Sequence, residues 1–287
     1  MSAAMEEMDR IEVQHTPNPT PVDLASQPQA AAVPAGDASG QPWYARLTLA
    51  SMLERFSRSP RSNALLGVCE DGFPMLFDFT DPRPGPLAVL GDAHSGKTGL
   101  LRLVVHSAVR YNPSSQVQVA VISNHPEEFA EFSGQGAYRR YSLGVFDSED
   151  PAAGQALMDV AAAAEEQYRQ KKNDLIQLLV LDGLGFVPYA AGDVQLNLEW
   201  LLKFGPALRV WPIAALHTYA ALKLGRWLRH FHTRLIGHMP PEPAARLALQ
   251  SGLDSQDLLS GRQFAVHTGE RWMKLWLPLI EDSRRME

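Results

Sequence analysis

The chain has 287 residues, 45% hydrophobic and 20% charged, with a formal net charge of −6. These are ordinary proportions for a soluble globular protein of one large domain or two small ones. No apolar run reaches the ~18 residues a membrane span needs. The longest, from Leu175 to Val187, is broken by Gln177 and Asp182, so no transmembrane segment is expected. The N-terminus lacks a basic region followed by an apolar core, which argues against a secretory leader. The lone Cys69 cannot form an intramolecular disulfide or a cysteine metal cluster, and it fits a reducing compartment. The expectation is a cytoplasmic protein.

The charge is uneven. Residues 1–42 carry Glu6, Glu7, Asp9, Glu12, Asp23 and Asp37 against Arg10 alone, which leaves residues 43–287 close to neutral. A near-neutral body neither demands nor excludes a nucleic-acid partner. Residues 1–42 also contain no Phe, Trp or Tyr and are rich in Pro, Ala, Gln, Ser and Gly. Such a segment cannot bury enough apolar surface to offset its ordering entropy, so a disordered acidic tail is expected there.

Order is expected from about Trp43. A short helix over Leu47–Phe56 and a basic patch, Arg55 to Arg61, precede two strands, Leu65–Val68 and Pro74–Phe77, joined at Asp71-Gly72. Residues 43–85 thus read as a helix and hairpin capping a core that spans 86–287. In that core strands and helices alternate. Strands are expected over Leu87–Leu90, Val117–Ile122, Tyr141–Phe146, Leu178–Leu181 and Ile213–Leu216. Helices are expected after residue 97, over 126–132, over 151–172 and around Val194, Leu198, Leu201 and Leu202. Asp150-Pro151 is an N-cap followed by proline at the first helical position. Strands that are apolar on both faces and alternate with helices mean a mostly parallel α/β sheet covered by helices.

Between the first core strand and its helix lies Gly91-Asp92-Ala93-His94-Ser95-Gly96-Lys97-Thr98, which fits the phosphate-cradling loop G-x-x-x-x-G-K-[ST]. Strand, loop and helix come in the order the loop requires, with Leu100, Leu101, Val104, Val105 and Ala108 on one face of the helix. Backbone N–H groups from Gly91 to Gly99 would face the β-phosphate of a nucleotide, where the helix dipole favours negative charge. Lys97 would reach the β- and γ-phosphates and Thr98 would ligate Mg²⁺.

A Mg²⁺-assisted phosphoryl-transfer site also needs an acid beside Thr98, at the end of an apolar strand next to the phosphate-loop strand. Leu178-Leu179-Val180-Leu181-Asp182 supplies it, and Asp182 lies 85 residues beyond Lys97. The next position is Gly183, where ATP-hydrolysing relatives often carry a glutamate; glycine can neither abstract nor orient a proton. Glu199 and Asp193 are the nearest acids that follow.

The densest basic stretch holds Lys223, Arg226, Arg229, His230, His232 and Arg234, interleaved with Trp227 and Phe231. It could contact nucleic-acid phosphates and bases. However, Trp227 and Phe231 are four apart and share a helical face, which favours core aromatics under a solvated basic face. His230 and His232 lack the spacing and acidic company of a metal site.

Taken together, "LGVCEDGFPMLFDF", "PLAVLGDAHSGKTGLLRLVVHSAV", "AAEEQYRQ", "LLVLDG", "RVWPIAALHTYAAL" and "FHTRLIGHMPPEPAARLALQSGLDSQDLLSGRQFAVHTG" resemble the FtsK/HerA superfamily of P-loop ATPases over about residues 65–280. The resemblance implies a RecA-like core with short antiparallel strands at its edges, binding ATP and Mg²⁺. It implies a homo-oligomer, a hexameric ring with ATP between subunits. His217 stands where the family carries a polar sensor, usually glutamine. Arg234 and Arg246 match family arginines, one of which would be donated across the subunit interface. Two readings follow. One is a translocation motor acting on DNA; the other is an ATP-binding module that hydrolyses poorly and serves a protein partner, as in relatives among the type VII secretion ATPases.

Overall fold

In the computed structural model residues 43–171 and 174–279 are described; the tail expected over 1–42 lies outside them. The first helix, α1 (Leu49–Arg55), starts two residues later than its apolar pattern suggests. Thr48 and Ser51 form a reciprocal capping box there, satisfying two backbone donors at once. The hairpin of β1 (Asn63–Cys69) and β2 (Pro74–Asp78) turns through Asp71-Gly72 as expected. It is part of the main sheet, because β1 also pairs with the last strand, β10 (Trp272–Trp276).

The core strands are β3 (Leu87–Gly91), β4 (Val117–Ser123), β5 (Ser142–Asp147), β6 (Ile176–Asp182), β7 (Val210–His217), β8 (Thr233–Gly237) and β9 (Gln263–His267). They lie in one ten-stranded sheet with the order β2-β1-β10-β9-β8-β3-β7-β6-β4-β5. From β8 to β5 every pairing is parallel, and from β8 to β2 every pairing is antiparallel. The expected mostly parallel α/β sheet with antiparallel edge strands is therefore the observed fold.

Alternation along the strands builds two cores. Leu87 and Val89, Val119 and Val121, and Leu178 and Val180 point to one face. Helix α2 (Lys97–Tyr111) covers it with Leu100, Leu101, Val104, Val105 and Ala108, all buried. Each large aliphatic side chain so buried contributes about 1.5–3 kcal/mol. The β1–β2 hairpin closes the same face: Phe77 and Phe79 meet the fully buried Trp211 of β7 at ring distances of 5.1 and 5.8 Å.

The interleaved residues Ala88 and Leu90, Ala120 and Ile122, and Leu179 and Leu181 face the other way. They pack under α3 (Pro151–Gln170), α4 (Gly192–Phe204), α5 (Thr218–Lys223), α6 (Gly225–Leu228) and α7 (Pro241–Leu247). Helix α3 begins where Asp150 accepts from Ala152 N–H at 2.8 Å, the cap read from the sequence. Residues 126–132 form a 3₁₀ run rather than an α-helix. Among the described residues no helix is long and apolar enough to cross a membrane.

One expectation about strand order needs correcting. The strand ending in Asp182 is not next to the phosphate-loop strand; β7 lies between them and pairs in parallel with both. Asp182 still meets Thr98, the second residue of α2, with Thr98 Oγ1 3.2 Å from Asp182 Oδ2.

Candidate functional site: a phosphate loop facing a carboxylate

Four strand ends converge at one edge of the sheet. Gly91 of β3 is in register with His217 of β7, Ala215 of β7 with Asp182 of β6, and Asp182 with Ser123 of β4. Parallel pairing brings all the carboxyl ends to the same side, which is where ligands bind in open α/β sheets.

The loop from Gly91 to Lys97 arches over this edge. Asp92 N–H donates to His238 O at 3.1 Å, which ties the loop to the chain after β8. Ser95 is fully buried beneath the arch. His94 adopts φ 59° and Gly96 φ 95°, the left-handed region where glycine is favoured. Gly96 has a second reason to be glycine. A Cβ there would come within 3.1 Å of the Gly261 backbone, in the turn that precedes β9. That turn also binds the loop directly, with Ser260 Oγ donating to His94 O at 3.1 Å. The Leu258-Leu259-Ser260-Gly261 segment matched by resemblance is therefore a brace for the phosphate loop.

Lys97 Nζ donates to Asp92 O at 2.7 Å and reaches Ser95 Oγ at 3.5 Å, spanning its own loop. Burial pushes the ammonium below its usual pKa, against the opposing pull of Asp182 and Asp92. Thr98 Oγ1 donates to Asp182 Oδ2 at 3.2 Å and lies 3.4 Å from Oδ1. Ser123 Oγ donates to the same Oδ2 at 3.3 Å and accepts from His125 N–H at 2.9 Å. Burial raises the Asp182 carboxyl above the usual carboxylate range, opposed by the Thr98 and Ser123 hydrogen bonds and by Lys97 and His125. A hydroxyl and a carboxylate at this separation form an oxygen donor pair suited to a hard divalent cation such as Mg²⁺. Beside them, N–H groups at the start of a 15-residue helix suit an anion.

The other expected site residues divide. His217 is exposed at the end of β7, in register with the start of the loop, and stacks on Tyr219 at 6.0 Å. Arg246 is exposed on α7 and makes a 3.5 Å ion pair with Glu242 one turn away. Arg234 is held differently. It stands near the start of β8, at the opposite end of the strand from the loop edge. Its Nη1 donates to Leu247 O at 2.6 Å, Nη2 to Leu228 O at 2.9 Å and Nε to Phe231 O at 3.2 Å. Burial pushes this guanidinium down to about 10. It caps the last carbonyls of α6 and α7 and joins them to β8.

The basic stretch is likewise occupied. Arg226 Nε donates to Glu199 Oε2 at 2.9 Å, and Arg229 Nη2 to Glu199 Oε1 at 3.2 Å. Burial pushes Glu199 upward, but Arg226, then His230 and Arg229, outweigh it and hold the carboxyl below the usual range. Trp227 and Phe231 are both buried, as the spacing suggested, although α6 ends before Phe231 and they share a core rather than one helix face. Asp193 Oδ1 accepts from the adjacent Val194 N–H. Glu199 is thus engaged by two arginines, whereas Asp193 is exposed at the start of α4. Among the described residues, no group of three or more His, Cys, Asp or Glu side chains could hold a metal ion.

Gly183 has φ 110°, in the left-handed region. A glutamate there would be strained, by about 1–3 kcal/mol. Ser123 and Asn124 are the site residues that sequence reasoning missed. The available signal was their position, directly after the apolar run of β4, as Asp182 follows that of β6.

No family model matches the chain, and no curated protein matches it. Solved structures do. Thermomonospora curvata EccC (ATPases 2 and 3), in complex with a signal sequence peptide, aligns with a TM-score of 0.65 at 16% identity, covering 84% of this chain and 44% of that one. EssC (ATPases 2 and 3) from Geobacillus thermodenitrificans aligns with a TM-score of 0.62 at 11% identity, covering 85% and 49%. The monomer form of the pCW3 conjugation coupling protein TcpA, with ATPγS, aligns with a TM-score of 0.63 at 11% identity, covering 84% and 71%. The chain spans less than half the length of the EccC and EssC chains it matches. At these identities the likeness is one of fold, the α/β P-loop fold expected from the sequence motifs.

Proposed function

We propose that this chain is an ATP-binding, FtsK/HerA-like P-loop ATPase, the nucleotide-binding core of a translocation assembly, with slow hydrolysis. The observation that carries the reading is the meeting of Thr98 and Asp182 at 3.2 Å beside the Gly91–Thr98 arch. These two residues would hold Mg²⁺, which neutralises charge on the phosphates when bound. Lys97 and the loop N–H groups would bind the triphosphate, and His217 would sense it from the end of β7.

Slow hydrolysis is inferred from Gly183, whose backbone does not suit a glutamate, and from Glu199 being engaged by two arginines. A protein cargo is favoured over DNA, since Arg226, Arg229 and Arg234 have partners within the chain. The likeness to EccC, solved with a signal sequence peptide, supports the same choice. A motor acting on DNA is the second reading, and the likeness to a conjugation coupling protein favours it. A homo-oligomeric ring with an arginine given in trans fits either reading. Arg246, exposed on α7, is the better candidate for that arginine, because Arg234 already donates to three backbone carbonyls within the chain.

The test is ATP turnover and Mg-ATP binding by the purified chain, with and without DNA. Tight Mg-dependent binding with slow, DNA-independent turnover supports the module. DNA-stimulated turnover supports the motor. Nucleotide affinity that survives Lys97→Ala would sink both.

A further inference from the structure

If ATP is turned over at all, something other than residue 183 must hold the attacking water. We propose that Asn124 does so. This rests on the nucleotide-binding reading above and adds a residue to it.

Ser123 and Asp182 are in register on adjacent parallel strands, so Asn124 and Gly183 follow them side by side at the mouth of the site. The glycine leaves the space between open. A Cβ on Gly183 would stand 3.6 Å from both Nδ2 and Oδ1 of Asn124, so the amide already lies over the position a side chain at 183 would enter. The amide is held in place. Ser148, buried, hydrogen-bonds through Oγ to Asn124 Oδ1, and Ser148 N–H donates to Ser123 O at 3.0 Å. With Oδ1 bound by Ser148, Nδ2 is turned toward other partners. Asn124 is also coupled to the metal-side carboxylate, because the preceding Ser123 donates to Asp182 Oδ2 and accepts from His125 N–H. The side chain itself is exposed, open to the solvent from which a water would come.

An amide orients water but takes no proton, the role a glutamine plays in some P-loop NTPases. The water oxygen would bond to the γ-phosphorus while the bond from that phosphorus to the β–γ bridging oxygen breaks. The bonding pair leaves with ADP, and the water proton passes to a γ-phosphate oxygen. ATP and water give ADP and inorganic phosphate, with no further reactant and no side-chain base. Catalysis of this kind, with no side-chain base, is slow.

The experiment compares wild type, Asn124→Ala and Asn124→Asp in three measurements: binding of Mg-ADP, binding of Mg-ADP with aluminium fluoride, and single-turnover ATP hydrolysis. Aluminium fluoride mimics the γ-phosphoryl group with the water in line. Asn124→Ala is expected to leave Mg-ADP affinity within about twofold while losing at least about tenfold in aluminium-fluoride complex affinity and in turnover, as removal of one positioned donor does elsewhere. Asn124→Asp keeps the acceptor for Ser148 and supplies a carboxylate, so turnover is expected at or above wild type. Equal losses for both complexes in Asn124→Ala would mean a purely structural role and overturn the proposal; so would no loss in either. Wild type that binds Mg-ADP but neither traps aluminium fluoride nor turns ATP over also overturns it, and leaves the binding module standing. Wild type that binds no nucleotide removes the underlying reading as well.

Discussion

The phosphate-loop mouth and the basic stretch of residues 223–234 use similar side chains to opposite ends. Both gather cations and acids at element ends. In the basic stretch the three arginines are engaged within the chain, while Lys223 is exposed. Two arginines share Glu199, a third caps three carbonyls, and the aromatics between them are buried. At the mouth, Lys97 spans only its own loop, and Thr98 and Ser123 converge on one carboxylate whose desolvation outweighs its hydrogen bonds. The arginines of the basic stretch are tied to groups of their own fold, whereas the mouth gathers hydroxyls, a carboxylate and loop N–H groups at the carboxyl ends of parallel strands, where ligands bind. Composition cannot distinguish the two, and geometry can.

The comparison can be broken most forcefully at Lys97. Lys97→Ala should weaken Mg-ATP binding by at least about 100-fold, or roughly 2.7 kcal/mol, in a titration with a fluorescent ATP analogue, with little change in melting temperature. Arg234→Ala should do the reverse. It removes a donor from three carbonyls, of which Leu228 O keeps the Phe231 N–H, and should destabilise the fold by about 2–4 kcal/mol, lowering the melting temperature by several degrees, while the folded fraction binds Mg-ATP normally. A variant that melts like wild type but loses activity only in the assembled state would restore Arg234 as a residue given in trans.

Gly183→Glu sharpens the contrast between a missing side chain and an incompatible backbone. The left-handed φ should cost about 1–3 kcal/mol of stability, and turnover should not rise. A gain in turnover would mean the strand end can flip to accept an acid.

A pH dependence follows from Asp182. Its carboxyl is raised, so on acidification it protonates earlier than an ordinary aspartate, and Mg²⁺-dependent nucleotide affinity should fall as pH drops through that raised value. Ser123→Ala removes a hydrogen bond that lowers the Asp182 pKa and should move this acid limb to higher pH. The stability linkage has the opposite sense: a raised acid pKa in the fold adds stability at low pH that is lost as pH rises through it. The smallest effect belongs to the surface. Arg226→Ala should cost under about 1 kcal/mol, since the pair is half in solvent, and should not alter any DNA affinity. A clear loss of DNA binding would overturn the view that this stretch is engaged internally.

Much of the fold was legible because strand-to-helix alternation and the apolar runs of β3, β4, β6 and β7 are local signals. The phosphate loop and Asp182 were legible because each sits at the end of such a run. The place of β7 between β3 and β6 was not, since strand order is set by long-range pairing that no local pattern records. Asn124 and Ser148 were missed for a related reason: their hydrogen bond spans 24 residues and two parallel strand ends. The uses of Arg234 and Glu199 depended on which carbonyls and arginines lie nearby in space.

The most direct test of the account is calorimetric titration of ATP into wild type and Asp182→Asn, each with Mg²⁺ and with chelator. The shared cation between Thr98 and Asp182 predicts that Mg²⁺ strengthens ATP binding in wild type by tenfold or so and that Asp182→Asn abolishes most of that gain. ATP affinity that ignores Mg²⁺ in wild type, or a Mg²⁺ gain that survives intact in Asp182→Asn, would contradict it.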